Sequence, residues 1–154
     1  MVKMREKSFD YDEEILTQIN ARIKRGAAGP EDQARDVNDV IKRTSDAVIE
    51  VNKELGGGFP DKVYENAVML ELRKQGLRGR NHVPVKVKYK GVNVGEYLAD
   101  IVVEDQVVID IMTVEAIQKM HEVSLIGILK ATNYKIGLIV NFFNQKAEIR
   151  RIVV

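Results

Sequence analysis

From Val83 to Met112 the sequence reads VPVKVKYKGVNVGEYLADIVVEDQVVIDIM, strand-length segments parted by two short turns. In the first part Val85, Val87 and Tyr89 alternate with Lys86, Lys88 and Lys90, and Lys90-Gly91 supplies the turn. Next, YLADIVV and QVVIDIM flank Glu104-Asp105-Gln106 as a second hairpin. Both of its strands carry apolar residues on both faces, as in the middle of a sheet covered on two sides. A chain with this block must build its core around a sheet and bring helices to cover it. One acid, Asp110, stands inside the most apolar segment, and a carboxylate buried there needs a partner or a proton.

The covering elements lie before and after the block. Residues 11–25 place Ile15, Leu16, Ile19 and Ile23 at helical spacing, with acids early and Lys24 and Arg25 late, in keeping with the helix dipole. GAAGPED (26–32) then reads as a linker. A second helix runs to about Leu55 with Val37, Val40, Ile41, Thr44, Val48 and Val51 on one stripe, and Gly56-Gly57-Gly58 ends it. A third runs from about Pro60 to Gln75. After the strands come a helix around 115–131, a strand KIGLIVNFF and a last strand AEIRRIVV. The order predicts an α/β or α+β domain with a mixed sheet over residues 36–154, preceded by an amphipathic helix and linker at 1–35.

The length of 154 residues suits one domain with a real core. Lys and Arg number 24 against 23 Asp and Glu, so global charge selects no partner and only local clustering can. With no cysteine, disulfides and thiolate metal sites are excluded, and a reducing compartment is expected. No apolar run is long enough for a membrane span, and the N-terminus lacks a signal-peptide apolar region. The expectation is a cytoplasmic protein, or a nuclear one if the source is eukaryotic or viral, with no membrane partner.

A loop of three residues at 104–106 pairs Val103 with Val107, and counting outward sets Asp100 opposite Asp110. Two carboxylates so placed repel unless a cation joins them, and a hard divalent ion such as Mg²⁺ (or Mn²⁺) is the usual solution. A two-residue loop or a bulge would instead shift the register and separate the acids.

Three segments now carry a resemblance: ELGGGFPDKVYENAVMLELRKQGL, VPVKVKYKGVNVGEYLADIVVEDQVVIDIMTVEAI and GLIVNF. Together they resemble the GxxExxY family of the PD-(D/E)XK, restriction-endonuclease-like superfamily, over roughly residues 40–154. The resemblance implies an αβββαβ core whose central hairpin holds the metal-binding acids. Asp100 matches the first acid of the nuclease motif and Asp110 the second. Gly58, Asp61 and Tyr64 match the family's name motif, with aspartate in place of glutamate, and Asp61 or its neighbour Glu65 is then implied to hold metal or stabilise the site. The lysine that normally follows the second acid by two positions is Met112 here. The glutamine and tyrosine of the following helix fall at Ser124 and Ile128.

In this chemistry the acids hold Mg²⁺, which polarises the phosphate and acidifies an attacking water, while the lysine positions that water. Methionine has neither charge nor donor and is a flexible apolar filler. Three readings follow. The protein is an active Mg²⁺-dependent nuclease whose lysine has migrated to Lys130, Lys119 or Lys62. Alternatively, the fold persists without hydrolysis as a module binding DNA, RNA or a protein. Or it is a structural, self-assembling protein, with the N-terminal helix making a homo-oligomer or partner contact. The joint loss of lysine, glutamine and tyrosine favours the second. RKQGLRGRNH (73–82) with Lys86, Lys88 and Lys90 forms a local cationic surface, for which a solvated loop and an edge strand are the simpler expectation. Neither His82, expected in a polar loop, nor His121 has the spacing of a metal ligand.

Overall fold

The computed structural model describes residues 35–154, so the expected helix at 11–25 and the linker after it lie outside the described residues. Helix α1, Val37–Leu55, begins where the Asp36 side chain accepts the Asn38 N–H at 2.7 Å. It buries Val40, Thr44, Ala47, Val48 and Val51 and stops at Gly56, whose φ of 65° is the left-handed geometry that glycine tolerates. Helix α2, Asp61–Lys74, follows Pro60 and buries Tyr64, Glu65, Val68, Met69 and Leu72. The Tyr64 ring stacks on Phe142 with centroids 4.3 Å apart, and its hydroxyl donates to Gly56 O at 2.6 Å. That makes Tyr64 a core aromatic tying two helices to the sheet.

Three antiparallel strands come next: β1, Gly79–Tyr89; β2, Val92–Val103; and β3, Val107–Met112. Helix α3, Lys119–Ala131, then returns the chain to β4, Ile136–Asn141, which lies parallel to β3, and β5, Glu148–Val153, closes the sheet antiparallel to β4. The order across the sheet is the chain order, β1-β2-β3-β4-β5. Every residue of β3 and β4 is buried, as a parallel pair covered on both faces requires.

One apolar cluster joins α1 and α2 to Ile101, Val103, Val107, Ile109, Ile111, Leu138 and Val140. A second joins α3, through Leu125, Ile128 and Leu129, to Val85, Ala99, Val102, Val108, Met112 and Ile139. The result is three layers, helices on both faces of a mixed sheet. This is the expected restriction-endonuclease-like α/β core, with α1 before it and β5 after it. Arg150 of β5 ties the second layer down, bonding Glu122 of α3 at 2.9 Å and Glu148 at 2.7 Å, and these two carboxylates hold its pKa above the ordinary arginine value.

Two expectations need correction. The helix starts at Lys119 rather than 115, because Val114 is tied to β4 by the Asn141 side chain, whose Oδ1 accepts the Val114 N–H at 3.1 Å and whose Nδ2 donates to Val114 O at 2.7 Å. His121 serves this boundary, its Nδ1 accepting the Gln118 N–H at 2.9 Å. His82, expected in a loop, lies within β1, which begins four residues earlier than the valine alternation.

Candidate metal and nucleic-acid site

The site is set by the tight turn between β2 and β3. Gln106 N–H donates to Val103 O at 3.0 Å, and Glu104 and Asp105 both take left-handed φ, 53° and 52°. Glu104 is buried but fully engaged: it accepts the Arg78 N–H at 2.7 Å and the Arg78 guanidinium at 3.1 and 3.2 Å. This acid therefore anchors the turn. The pairs that follow are Val103↔Val107, Val102↔Val108 and Ile101↔Ile109. This is the register of a three-residue loop, and its next step sets Asp100 across from Asp110. There the ladder gives way to a side-chain bond, with Asp100 Oδ2 accepting the Ile111 N–H at 2.8 Å.

The faces of β1 and β2 turn over at this level. Ile101 and Val103 pack with α1 and α2, whereas Ala99 and Tyr97, of the same parity, pack with α3. In β1, Gly79 faces Met69 and Leu72 of α2, whereas Val83 and Val85 pack on the α3 side. The flanking pairs Asn81↔Ile101 and Val83↔Ala99 set His82 beside Asp100, and His82 has the left-handed φ of 50°. His82 Nε2 stands 2.6 Å from Oε1 of Glu65, which is buried on α2. A non-glycine residue in this conformation costs on the order of 1 kcal/mol, and the contact with a buried carboxylate holds it there.

Asp110 lies between Val108 and Met112, both packed on the α3 side, so alternation puts it on that face. It is 9% exposed and Asp100 is 3% exposed. Among the described residues the Asp110 carboxylate makes no hydrogen bond or ion pair. Asp61 is one turn before Glu65 on α2 and accepts a hydrogen bond from the Thr113 hydroxyl, just past the end of β3. Asp61 and Glu65 therefore come from the first core helix, and Asp100 and Asp110 from the central hairpin.

Met112 is 2% exposed and packed in the α3-side cluster with Leu125, Ile128 and Leu129. Ile128 is part of the same hydrocarbon, and Ser124 is half-buried one turn earlier. Lys119 and Lys130 are exposed at opposite ends of α3, and Lys62 is half-buried in the first turn of α2. Two residues of the region carry no obvious sequence signal. His82 shows none. Asn141, paired in register with Met112, is a polar residue closing an apolar parallel strand, the end at which ligands bind in open α/β sheets.

Two carboxylates suit a hard divalent ion that keeps most of its ligands as water. Among the described residues no group of three or more His, Asp or Glu is arranged to hold a metal. Asp100, one oxygen of which accepts the Ile111 N–H, and Asp110 would be the protein's own donors, a set that suits a lightly held ion and not an all-protein cage.

A mixed sheet with an acid on each strand of its central hairpin and a first core helix that brings further acids is the layout of a nuclease-type scaffold. The model of the PD-(D/E)XK nuclease superfamily matches residues 38–152, nearly all of the described chain, and the protein belongs to that superfamily. Its nucleases typically use Mg²⁺. No curated protein and no solved structure matches the chain. Among the described residues no helix is long and apolar enough to cross a membrane.

Proposed function

We propose that the protein is a degenerate nuclease-like module of the GxxExxY type that binds nucleic acid without efficient hydrolysis. The observation that carries this reading is Met112, buried in apolar contact with α3 at the position where the motif places its cation. A thioether there neither orients a water nor offers a proton, and deleting one such electrostatic group costs on the order of 10²–10³ in rate. Asp100 and Asp110 would hold Mg²⁺ or Mn²⁺, and a bound ion supplies Lewis-acid polarisation of a phosphate oxygen and an acidified water. On this reading the protein's residues keep two anionic positions for a cation. The other acids are engaged elsewhere, Asp61 with Thr113 and Glu65 with His82.

The test is a cleavage and binding series on supercoiled, linear and single-stranded DNA and on RNA, with Mg²⁺, Mn²⁺ or EDTA. The expected result is salt-dependent binding without product. Cleavage that Asp100→Ala or Asp110→Ala abolishes would establish the active alternative, with its lysine at Lys62, Lys119 or Lys130. Folded protein that binds no nucleic acid and sediments as a defined oligomer would establish the structural alternative.

A further inference from the structure

Beyond Val85 and Tyr97 the β1–β2 hairpin leaves both apolar cores, and every residue from Lys86 to Glu96 is exposed. The pairs Lys86↔Glu96, Val87↔Gly95, Lys88↔Asn93 and Tyr89↔Val92 continue to its tip, across an irregularity between Val87 and Lys88. Lys90 and Gly91 turn the chain with φ of 49° and 78°, the two left-handed residues of a tight hairpin turn. The segment is a projecting two-stranded ribbon whose register gives it two unlike faces. Lys86, Glu96, Lys88 and Asn93 share one, and Val87, Tyr89 and Val92 share the other.

Neither face behaves as a plain solvated surface. Among the described residues Lys86 and Lys88 make no hydrogen bond or ion pair, and Lys90 lies over the Tyr89 ring with Nζ 5.4 Å from its centroid. The opposite face exposes Tyr89 at 63% and Val92 at 64%. Lysines that only discouraged edge pairing would not need an exposed ring and valines behind them. Lysines on one face, and on the other an exposed ring that carries Lys90 beside exposed valines, match a ligand that is anionic at its rim and apolar within, and a nucleic-acid groove has that character.

We infer that the β1–β2 ribbon, through Lys86, Lys88, Lys90 and Tyr89, enters the major groove of duplex DNA. Its size fits. The strands of a ribbon are about 4.8 Å apart, and with side chains they fill the roughly 12 Å width of the B-DNA major groove. The four residues from Lys86 to Tyr89 extend about 13 Å beyond the core, enough for a groove about 8.5 Å deep. The major groove of A-form RNA is too narrow for such a ribbon, so the preferred duplex is DNA. In this arrangement the lysines meet phosphates along the rim, while Tyr89 and Val92 meet base edges and thymine methyl groups. The inference rests on the proposed nucleic-acid-binding function and places its contact on an element separate from the acids.

The test is fluorescence anisotropy with a labelled DNA duplex of about two helical turns, and the same sequence as an RNA duplex, across a salt series. The variants are the triple Lys86→Gln, Lys88→Gln, Lys90→Gln; Tyr89→Ala; and a control, Lys42→Gln, Lys53→Gln, on exposed positions of α1. Because the ribbon lies outside both cores, its variants are expected to keep the wild-type melting temperature. Wild type should prefer the DNA duplex. The triple variant should weaken DNA binding at least tenfold and flatten the salt slope by about 2.7, at roughly 0.9 per phosphate contact. The control should change neither. Wild-type binding with an unchanged triple variant would overturn the ribbon and leave the binding module standing. No binding by wild type would overturn both. A ribbon variant that changes the sedimentation coefficient without changing DNA affinity would assign the surface to a second copy of the chain and overturn the inference.

Discussion

His82 and Glu65 meet at 2.6 Å across the gap between β1 and α2, at the level where both edge-side strands turn over and Asp100 begins to face β3. The left-handed His82 backbone is stabilised from a helix seventeen positions away in the chain, and not by its neighbours in sequence. Glu65→Ala should therefore destabilise the fold by about 2–3 kcal/mol, combining a cavity with the loss of a charge-assisted contact. At position 82, glycine should be tolerated better than alanine by about 1 kcal/mol, because only alanine carries a Cβ into the left-handed region. Urea midpoints at constant m-value measure both differences. Equal midpoints for His82→Gly and His82→Ala would show that the backbone geometry is not what the pair maintains.

Met112 separates packing from chemistry. Met112→Leu conserves volume among Leu125, Ile128 and Leu129 and should cost less than about 1.5 kcal/mol. Met112→Lys places an ammonium in the same hydrocarbon and should cost about 2–4 kcal/mol. Asp110, two positions away on the same strand face, is the nearest carboxylate by sequence alternation. A double-mutant cycle of Met112→Lys with Asp110→Asn should show a coupling of about 1 kcal/mol, Asp110 favouring the lysine. No coupling would mean that the two side chains do not share a face.

Two glycines make opposite predictions. A Cβ at Gly137 of β4 would fall 2.7 Å from Cδ2 and 2.9 Å from Cγ of the fully buried Leu125, so Gly137→Ala forces that side chain to shift and should cost about 1–3 kcal/mol. Gly127, on the exposed face of α3, has nothing within 4 Å of the same construction. Gly127→Ala should stabilise by about 0.5–1 kcal/mol through helix propensity alone. Calorimetric melts should move in opposite directions, and a shared direction would contradict the described seating of α3.

Asn141 is buried and uses both ends of its amide, on Val114 N–H and Val114 O, with Phe143 N–H also donating to Oδ1 at 3.2 Å. Asn141→Ala should cost about 1–3 kcal/mol, since a half-buried donor and acceptor of Val114 lose their partners together. Its specific sign is hydrogen exchange: the Val114 amide should lose protection well before the amides of β3. Asn141→Asp keeps the acceptor but points a carboxylate at Val114 O, and should be at least as destabilising.

The sequence made the central hairpin legible because a turn length and a period of two suffice to fix it. Three residues between Val103 and Val107 determine what lies opposite Asp100, and the count needs no tertiary information. Met112 was readable in the same way, as a residue two positions from Asp110 on one strand. His82 was not, because its left-handed backbone depends on Glu65, and nothing in Asn81-His82-Val83 announces that geometry. The start of α3 was missed for a related reason. Glu115-Ala116-Ile117 has the composition of a helix, but the Asn141 amide holds Val114 against β4 and the chain bends at Glu115 and Ala116 before the helix begins after Gln118.

The parallel pairing of β3 with β4 also bears on the order in which the chain is made. A nascent chain that has emerged only through α3 contains both acids and the hairpin that aligns them, yet β3 has no neighbour on its far side until Ile136–Asn141 arrives. During that interval a strand that is buried along its whole length in the finished fold is an open edge on the ribosome. The interval before β4 docks is therefore when β3 is most open to pairing with the edge of another chain.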